Sequence, residues 1–172
     1  MLRIDSVNKR LLIGAAVFIA GALLSAGPPE LTLRNDSLRI DYALAHAGGA
    51  LLAAAGAGFA AWYAPRRALR LVFASVAVLA TGVSIHLAAY RVEVGADEIR
   101  TSGLFDSGRI AWTNVTRVDA GPGVIIVFEG TAARVHIDTT DYRPEQRASL
   151  ERTLTRRARE TSVRLTFGEN LE

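Results

Sequence analysis

Three apolar runs with almost no charge fill the first half of the chain, and from Tyr90 onward the apolar positions change to a period of two. The first run, Leu11 to about Ala26 (LLIGAAVFIAGALLSA), lies between Lys9-Arg10 and Gly27-Pro28-Pro29. The second, Tyr42 to Ala64, is long but built mostly of Ala and Gly, and the third, Leu71 to Tyr90, is richer in Val, Leu and Ile. A bilayer core of about 30 Å needs about 20 helical residues, so the second and third runs suffice by length. The first covers about 24 Å and relies on snorkelling by Lys9 and Arg10. Tyr42, Trp62, Tyr63 and Tyr90 fall at the ends of these runs, where amphipathic rings prefer to lie. The pattern predicts a transmembrane region over residues 1–90, with spans at about 11–26, 42–64 and 71–90. A cleaved signal is the competing reading of residues 1–26, although Leu24 and the Gly-Pro-Pro that follows make a poor cleavage site.

Residues 91–172 read as a separate β-domain. Tyr90, Val92 and Val94 alternate, Gly95-Ala96-Asp97 turns, and Ile99 begins a second strand. Gly103 and Gly108 bracket a longer turn, after which Ile110 and Trp112 are expected on one face of a third strand. Val115 and Val118 are three apart, which breaks the alternation and implies a corner or bulge. GVIIVFEG (123–130) and ARVHID (133–138) predict a hairpin turning at Glu129 to Ala132. Pro144 suits the first turn of a helix over about 144–160, with Leu150, Leu154 and Ala158 as its apolar stripe. Val163, Leu165 and Phe167 alternate again and predict a terminal strand or ordered tail.

Charge sharpens this division. Up to Tyr90 there are eight basic and four acidic residues, and beyond it twelve basic and thirteen acidic. The excess cation therefore belongs to the loops around the apolar runs and is no argument for nucleic acid as a partner. Nineteen of the twenty basic residues are Arg, a composition typical of GC-rich bacteria. The absence of cysteine excludes disulfides, Cys-ligated zinc and iron–sulfur clusters. With the N-terminus inside, Arg3, Lys9, Arg10, Arg66, Arg67 and Arg70 face the cytoplasm and only Arg34 and Arg39 face out. The cationic bias therefore predicts a multi-pass protein of the bacterial inner membrane with residues 91–172 outside.

Within the second span, Gly49, Ala53, Ala57 and Ala61 recur every four residues, a ridge that lets another helix approach closely. It is expected to pack against the first or third span rather than to form a homodimer seam. His46 and His86 each lie twenty residues from Arg66, so an antiparallel hairpin sets them at one depth near the outer surface. Two imidazoles at one level could ligate a metal or haem or share a proton. Each is also one helical turn from an interfacial tyrosine, and simple hydrogen bonding there needs no cofactor. His136, flanked by Val135 and Ile137, is expected on the exposed face of its strand.

The order YRVEVGADEIRTSG, GRIAWTNVTRVD, VIIVFEG, ARVHID and PEQRASLERTLTRRA resembles the bacterial pleckstrin-homology-like (PH-like) domain, a module often joined to membrane helices. The run Ile110, Trp112, Val115, Val118 carries most of the likeness, which covers about residues 90–160. It implies a small, bent antiparallel β-barrel or sandwich closed by a C-terminal helix, and brings no catalytic residues and no cofactor. Eukaryotic lipid-binding relatives hold inositol phosphates with Lys and Arg around the first hairpin. Here that turn is Gly95-Ala96-Asp97-Glu98, which argues against phosphoinositide as a ligand. The carboxylates of Asp97-Glu98 and Asp138-Thr139-Thr140-Asp141 suit turn caps, and the Arg run on the last helix is interspersed with Glu145, Glu151 and Glu160. The expected function is therefore non-enzymatic: a membrane-anchored binding or scaffolding module whose partner is a membrane-associated protein or a second copy. Redox or ion handling at His46 and His86, and peripheral lipid sensing, are the alternatives.

Overall fold

The computed structural model describes residues 6–34, 37–104 and 107–167. Arg3, one of the cations used above for sidedness, lies outside them. The chain divides into two compact units, one comprising residues 1–27 and 42–88, the other residues 28–41 and 89–172.

The first unit is helical. Its elements are α1 (Ser6–Ser25), α2 (Leu44–Tyr63) and α3 (Arg67–Ala89). All three are long and apolar enough to cross a membrane. Helix α1 starts five residues before the apolar run, taking Lys9 and Arg10 into its first turns, and α3 likewise takes in Arg67 and Arg70. The apolar runs underestimate these helices because arginine and lysine propagate a helix well even where they end its hydrophobic stretch. Leu23, Leu71, Val78 and Leu79 are each about 70% exposed, the outward apolar surface that suits lipid rather than water.

Helices α1 and α2 pack through small residues. Gly14 lies against the Gly56 carbonyl and Ala60, and Gly21 lies against Gly49 and Ala53. A Cβ on Gly49 would stand 2.6 Å from the Ser25 nitrogen, and one on Gly56 would stand 2.5 Å from the Phe18 nitrogen. Backbone touches backbone along this seam, so only glycine fits at these positions. The ridge expected at Gly49, Ala53, Ala57 and Ala61 is buried, but the glycine seam continues through Gly56 and Ala60 instead. A four-residue step overshoots the helical turn by about 40°, and a 4-3-4 spacing brings the seam back onto the partner.

The second unit is built of strands and one helix. Its first sheet contains β1 (Glu30–Arg34), β2 (Ser37–Asp41), β3 (Arg91–Val94), β4 (Glu98–Ser102) and β5 (Gly108–Ala111) in sequential antiparallel order. The second contains β6 (Arg117–Gly121), β7 (Val124–Glu129), β8 (Ala132–Asp138) and β9 (Arg164–Phe167), in the order β8-β7-β6-β9, with β9 parallel to β6. Among the described residues the sheets remain two and do not close into a barrel. Helix α4 (Pro144–Glu160) sets Leu150 and Leu154 into a core shared with residues of both sheets.

The hairpin β1–β2 is a correction to the sequence reading, which leaves residues 27–41 as a short loop. It pairs with β3 in the register Leu38 to Val94 and Ile40 to Val92, and Leu38 and Ile40 are fully buried. Its alternation of Leu31, Leu33, Leu38 and Ile40 is the same period-two signal used for residues 91–138, here obscured by the neighbouring apolar runs. A second difference concerns Trp112, which sits not on a third strand but in the 3₁₀ turn Trp112–Asn114 after β5. Ile110, Trp112, Val115 and Val118 are all buried in the common core. The turn supplies the corner implied by the Val115–Val118 spacing.

Candidate functional site

The cationic residues Lys9, Arg10, Arg66, Arg67 and Arg70 gather at one end of the helical unit. Arg10, near the start of α1, places its guanidinium 4.6 Å from the centre of the Tyr63 ring at the end of α2. Arg70 donates to the Ala64 carbonyl at 3.3 Å. Trp62 beside them is 79% exposed. Cationic heads beside aromatic rings at the end of apolar helices are the combination enriched at membrane–water interfaces.

At the opposite end of this unit Ser84 donates to the Ala47 carbonyl at 2.8 Å, and Leu87 packs with Ala47, Ala50 and Tyr42. This contact joins α2 to α3 within a turn of His46 and His86. The His46 ring stands edge-on to Tyr42, with centroids 5.8 Å apart, and closes on Gly27, where a Cβ would meet Nε2 at 2.6 Å. Its surroundings are thus a tyrosine edge and a glycine backbone. No group of three His, Asp or Glu side chains is brought together among the described residues. Between the three helices, a cavity of about 350 Å³ is lined by Gly14, Phe18, Ala57, Ala60, Phe73 and Val76 among others. Such a lining offers dispersion contacts and no polar group to orient a ligand.

In the β-unit the acidic turn is held from beneath by Trp112. The indole Nε1 donates to the Gly95 carbonyl at 3.1 Å, the Trp112 amide donates to the Asp97 carbonyl at 2.9 Å, and the Gly95 amide donates to the Glu98 carbonyl. Glu98 is taken by Arg109 across the β4–β5 ladder. Trp112 therefore holds two carbonyls of the β3–β4 turn, those of Gly95 and Asp97, a role that explains a tryptophan at a buried turn. Gly108 holds the other side: its amide donates to Thr101 Oγ1 at 3.0 Å, and a Cβ there would run into the Arg134 carbonyl.

The arginines of α4 are largely committed. Arg147 pairs with Glu151 at 2.8 Å and donates to the Gly121 carbonyl, and Arg157, buried, pairs with Glu160 at 2.7 Å. Arg152 donates to the Ala148 carbonyl and Ser149. Tyr90, where the strands begin, shares a 2.7 Å hydrogen bond with Tyr142. Its pKa is raised by burial first, with Asp138 and Asp141 adding to the shift against the bond from Tyr142. His136 is exposed on β8.

The feature that sequence reasoning missed is the outer strand of the first sheet. Strand β1 is bonded to β2 on one side, and no strand pairs with its other side among the described residues. Four of its five residues are exposed, Leu33 by 70%. The alternation LTL followed by SLRI was the available signal.

No protein-family model, no curated protein and no solved structure matches the chain.

Proposed function

We propose that this is a non-enzymatic integral membrane protein whose β-unit, of PH-like kind, serves as a binding or scaffolding module at the surface of the bacterial inner membrane. The observation that carries this reading is the way the chain is strung. It passes between the apolar helical unit and the β-unit three times, through residues 26–29, residues 42–43 and Tyr90. Connections of one to four residues leave the β-unit a short reach, so the molecules it meets are at or in the same membrane. The PH-like reading draws on the order β3 to β8 followed by α4, with Leu150 and Leu154 in the core. The hairpin β1–β2 is an addition to that order.

The five cations grouped at one end of the helices favour that end in the cytoplasm, with the β-unit outside. The hairpin weighs little against this, since Arg39 is paired with Asp41 and belongs to a folded sheet rather than a free loop.

Deleting residues 91–172 tests the function. Membrane insertion of the remaining helices is expected to persist, while recovery of cross-linked partners from membranes falls to background. Unchanged recovery would remove the binding role from residues 91–172.

A further inference from the structure

The residues of β1, Glu30-Leu31-Thr32-Leu33-Arg34, form an open edge, and open edges present unpaired N–H and C=O groups to any further strand. Leu31 and Leu33 stand opposite Ile40 and Leu38, on the face that carries the core. Leu31 packs against that core, whereas Leu33 is left 70% exposed. The apolar face of the sheet thus runs out to its edge and ends on an uncovered leucine.

The segment is also complementary to itself. Laid antiparallel on a second β1 about Thr32, Glu30 falls opposite Arg34, Leu31 opposite Leu33, and Thr32 opposite Thr32, with the first two pairings occurring twice by symmetry. Opposite charges and apolar pairs set directly across an antiparallel ladder favour pairing, and like charges oppose it. Parallel pairing in register would instead set Glu30 against Glu30 and Arg34 against Arg34. Among the described residues neither Glu30 nor Arg34 has an ion-pair partner within the chain, while Arg39, Asp41, Glu98 and Arg109 nearby are all paired.

We propose that β1 pairs antiparallel with β1 of a second copy of this chain, joining two five-stranded sheets into one two-fold symmetric sheet. This rests on the binding-module reading and names the partner. Two five-residue strands are smaller than an ordinary stable interface. Confinement of both copies to one bilayer raises their effective concentration and lowers the orientational cost of meeting.

The absence of cysteine makes the test direct. Opposed Cα atoms in an antiparallel pair lie about 4.5–5.5 Å apart, within disulfide range. In native membranes under mild oxidation, full-length Thr32→Cys is expected to give a disulfide-linked dimer, while His136→Cys, exposed on β8, stays monomeric. Adding Glu30→Arg to Thr32→Cys should lower the dimer yield several-fold, and adding Arg34→Glu to that variant should restore it. Equal cross-linking of Thr32→Cys and His136→Cys, or a yield indifferent to Glu30→Arg, overturns the proposal. So does a Thr32→Cys chain captured only by some other protein. Partner recovery through residues 91–172 distinguishes the two failures. Recovery without the Thr32→Cys dimer leaves the binding module standing with a different partner. The dimer without recovery of any other protein leaves self-pairing standing and removes a role in scaffolding other proteins.

Discussion

Glycine decides the helical unit residue by residue. Gly48 and Gly49 are neighbours in α2, yet a Cβ on Gly48 meets nothing within 4 Å, whereas one on Gly49 meets the Ser25 nitrogen and the Gly21 carbonyl at 2.6 and 2.8 Å. Backbone atoms cannot swing aside as a side chain can, so the helices must separate along their length. Gly49→Ala is expected to destabilise the unit by about 1–3 kcal/mol through overpacking. Gly48→Ala should be neutral or stabilising by about 0.5–1 kcal/mol, because alanine loses less backbone entropy in a helix. Thermal unfolding in detergent followed by circular dichroism compares the two, and equal midpoints would mean that the α1–α2 seam is not this close. In the sequence the ridge of small residues was visible, but not which of them touch: Gly56 and Ala57 look alike until the partner helix is in place. Trp112 shows the same limit. Its burial follows from its size, while its hold on the Gly95 and Asp97 carbonyls depends on atoms fifteen to seventeen residues away in the chain.

Among the elements, the hairpin β1–β2 changes most. As a loop between two spans, Leu38 and Ile40 would be solvated and their truncation would cost little. As the second strand of a five-stranded sheet they are fully buried beside Val92 and Val94. Leu38→Ala and Ile40→Ala are each expected to cost about 2–5 kcal/mol, the range for large-to-small changes in a core. Urea unfolding followed by Trp112 fluorescence in a Trp62→Phe background measures this, with Ile99→Ala as the reference core change. A cost within about 0.5 kcal/mol, the ordinary range for surface positions, would return the segment to a loop. The strands β3 to β8 and the helix α4 were legible because their alternation and their Gly and Pro punctuation stand clear of other signals. The hairpin carries equal alternation, but it is short, lies between two apolar runs, and finds its partner strand some fifty residues downstream.

For the whole molecule, the shared sheet binds topology to fold. Residues 30–41 and 91–138 belong to one β-unit, so the segment between α1 and α2 and the segment after α3 must emerge on the same side of any bilayer the helices cross. That condition is met by an even number of crossings between them, which α2 and α3 supply. In the cysteine-free chain, Thr32→Cys and His136→Cys should react with an impermeant maleimide from the same side, and from outside intact cells under the proposed orientation. Labelling of both only after the cells are opened reverses the orientation. Labelling of the two from opposite sides would break the β2–β3 pairing.

The sequence by itself determined the division into apolar helices and alternating strands, the end of the helices that carries the cations, and the core residues Ile110, Trp112, Val115 and Val118. Those are properties of local pattern and of side-chain solubility, which act residue by residue whatever the rest of the chain does. Only the tertiary structure decided that the loop after α1 is a pair of strands, that α1 and α2 meet backbone to backbone at their glycines, and that Glu30 to Arg34 form an open edge. Strand pairing and helix seams are made by partners distant in sequence, and an edge exists only once every other strand has found its place.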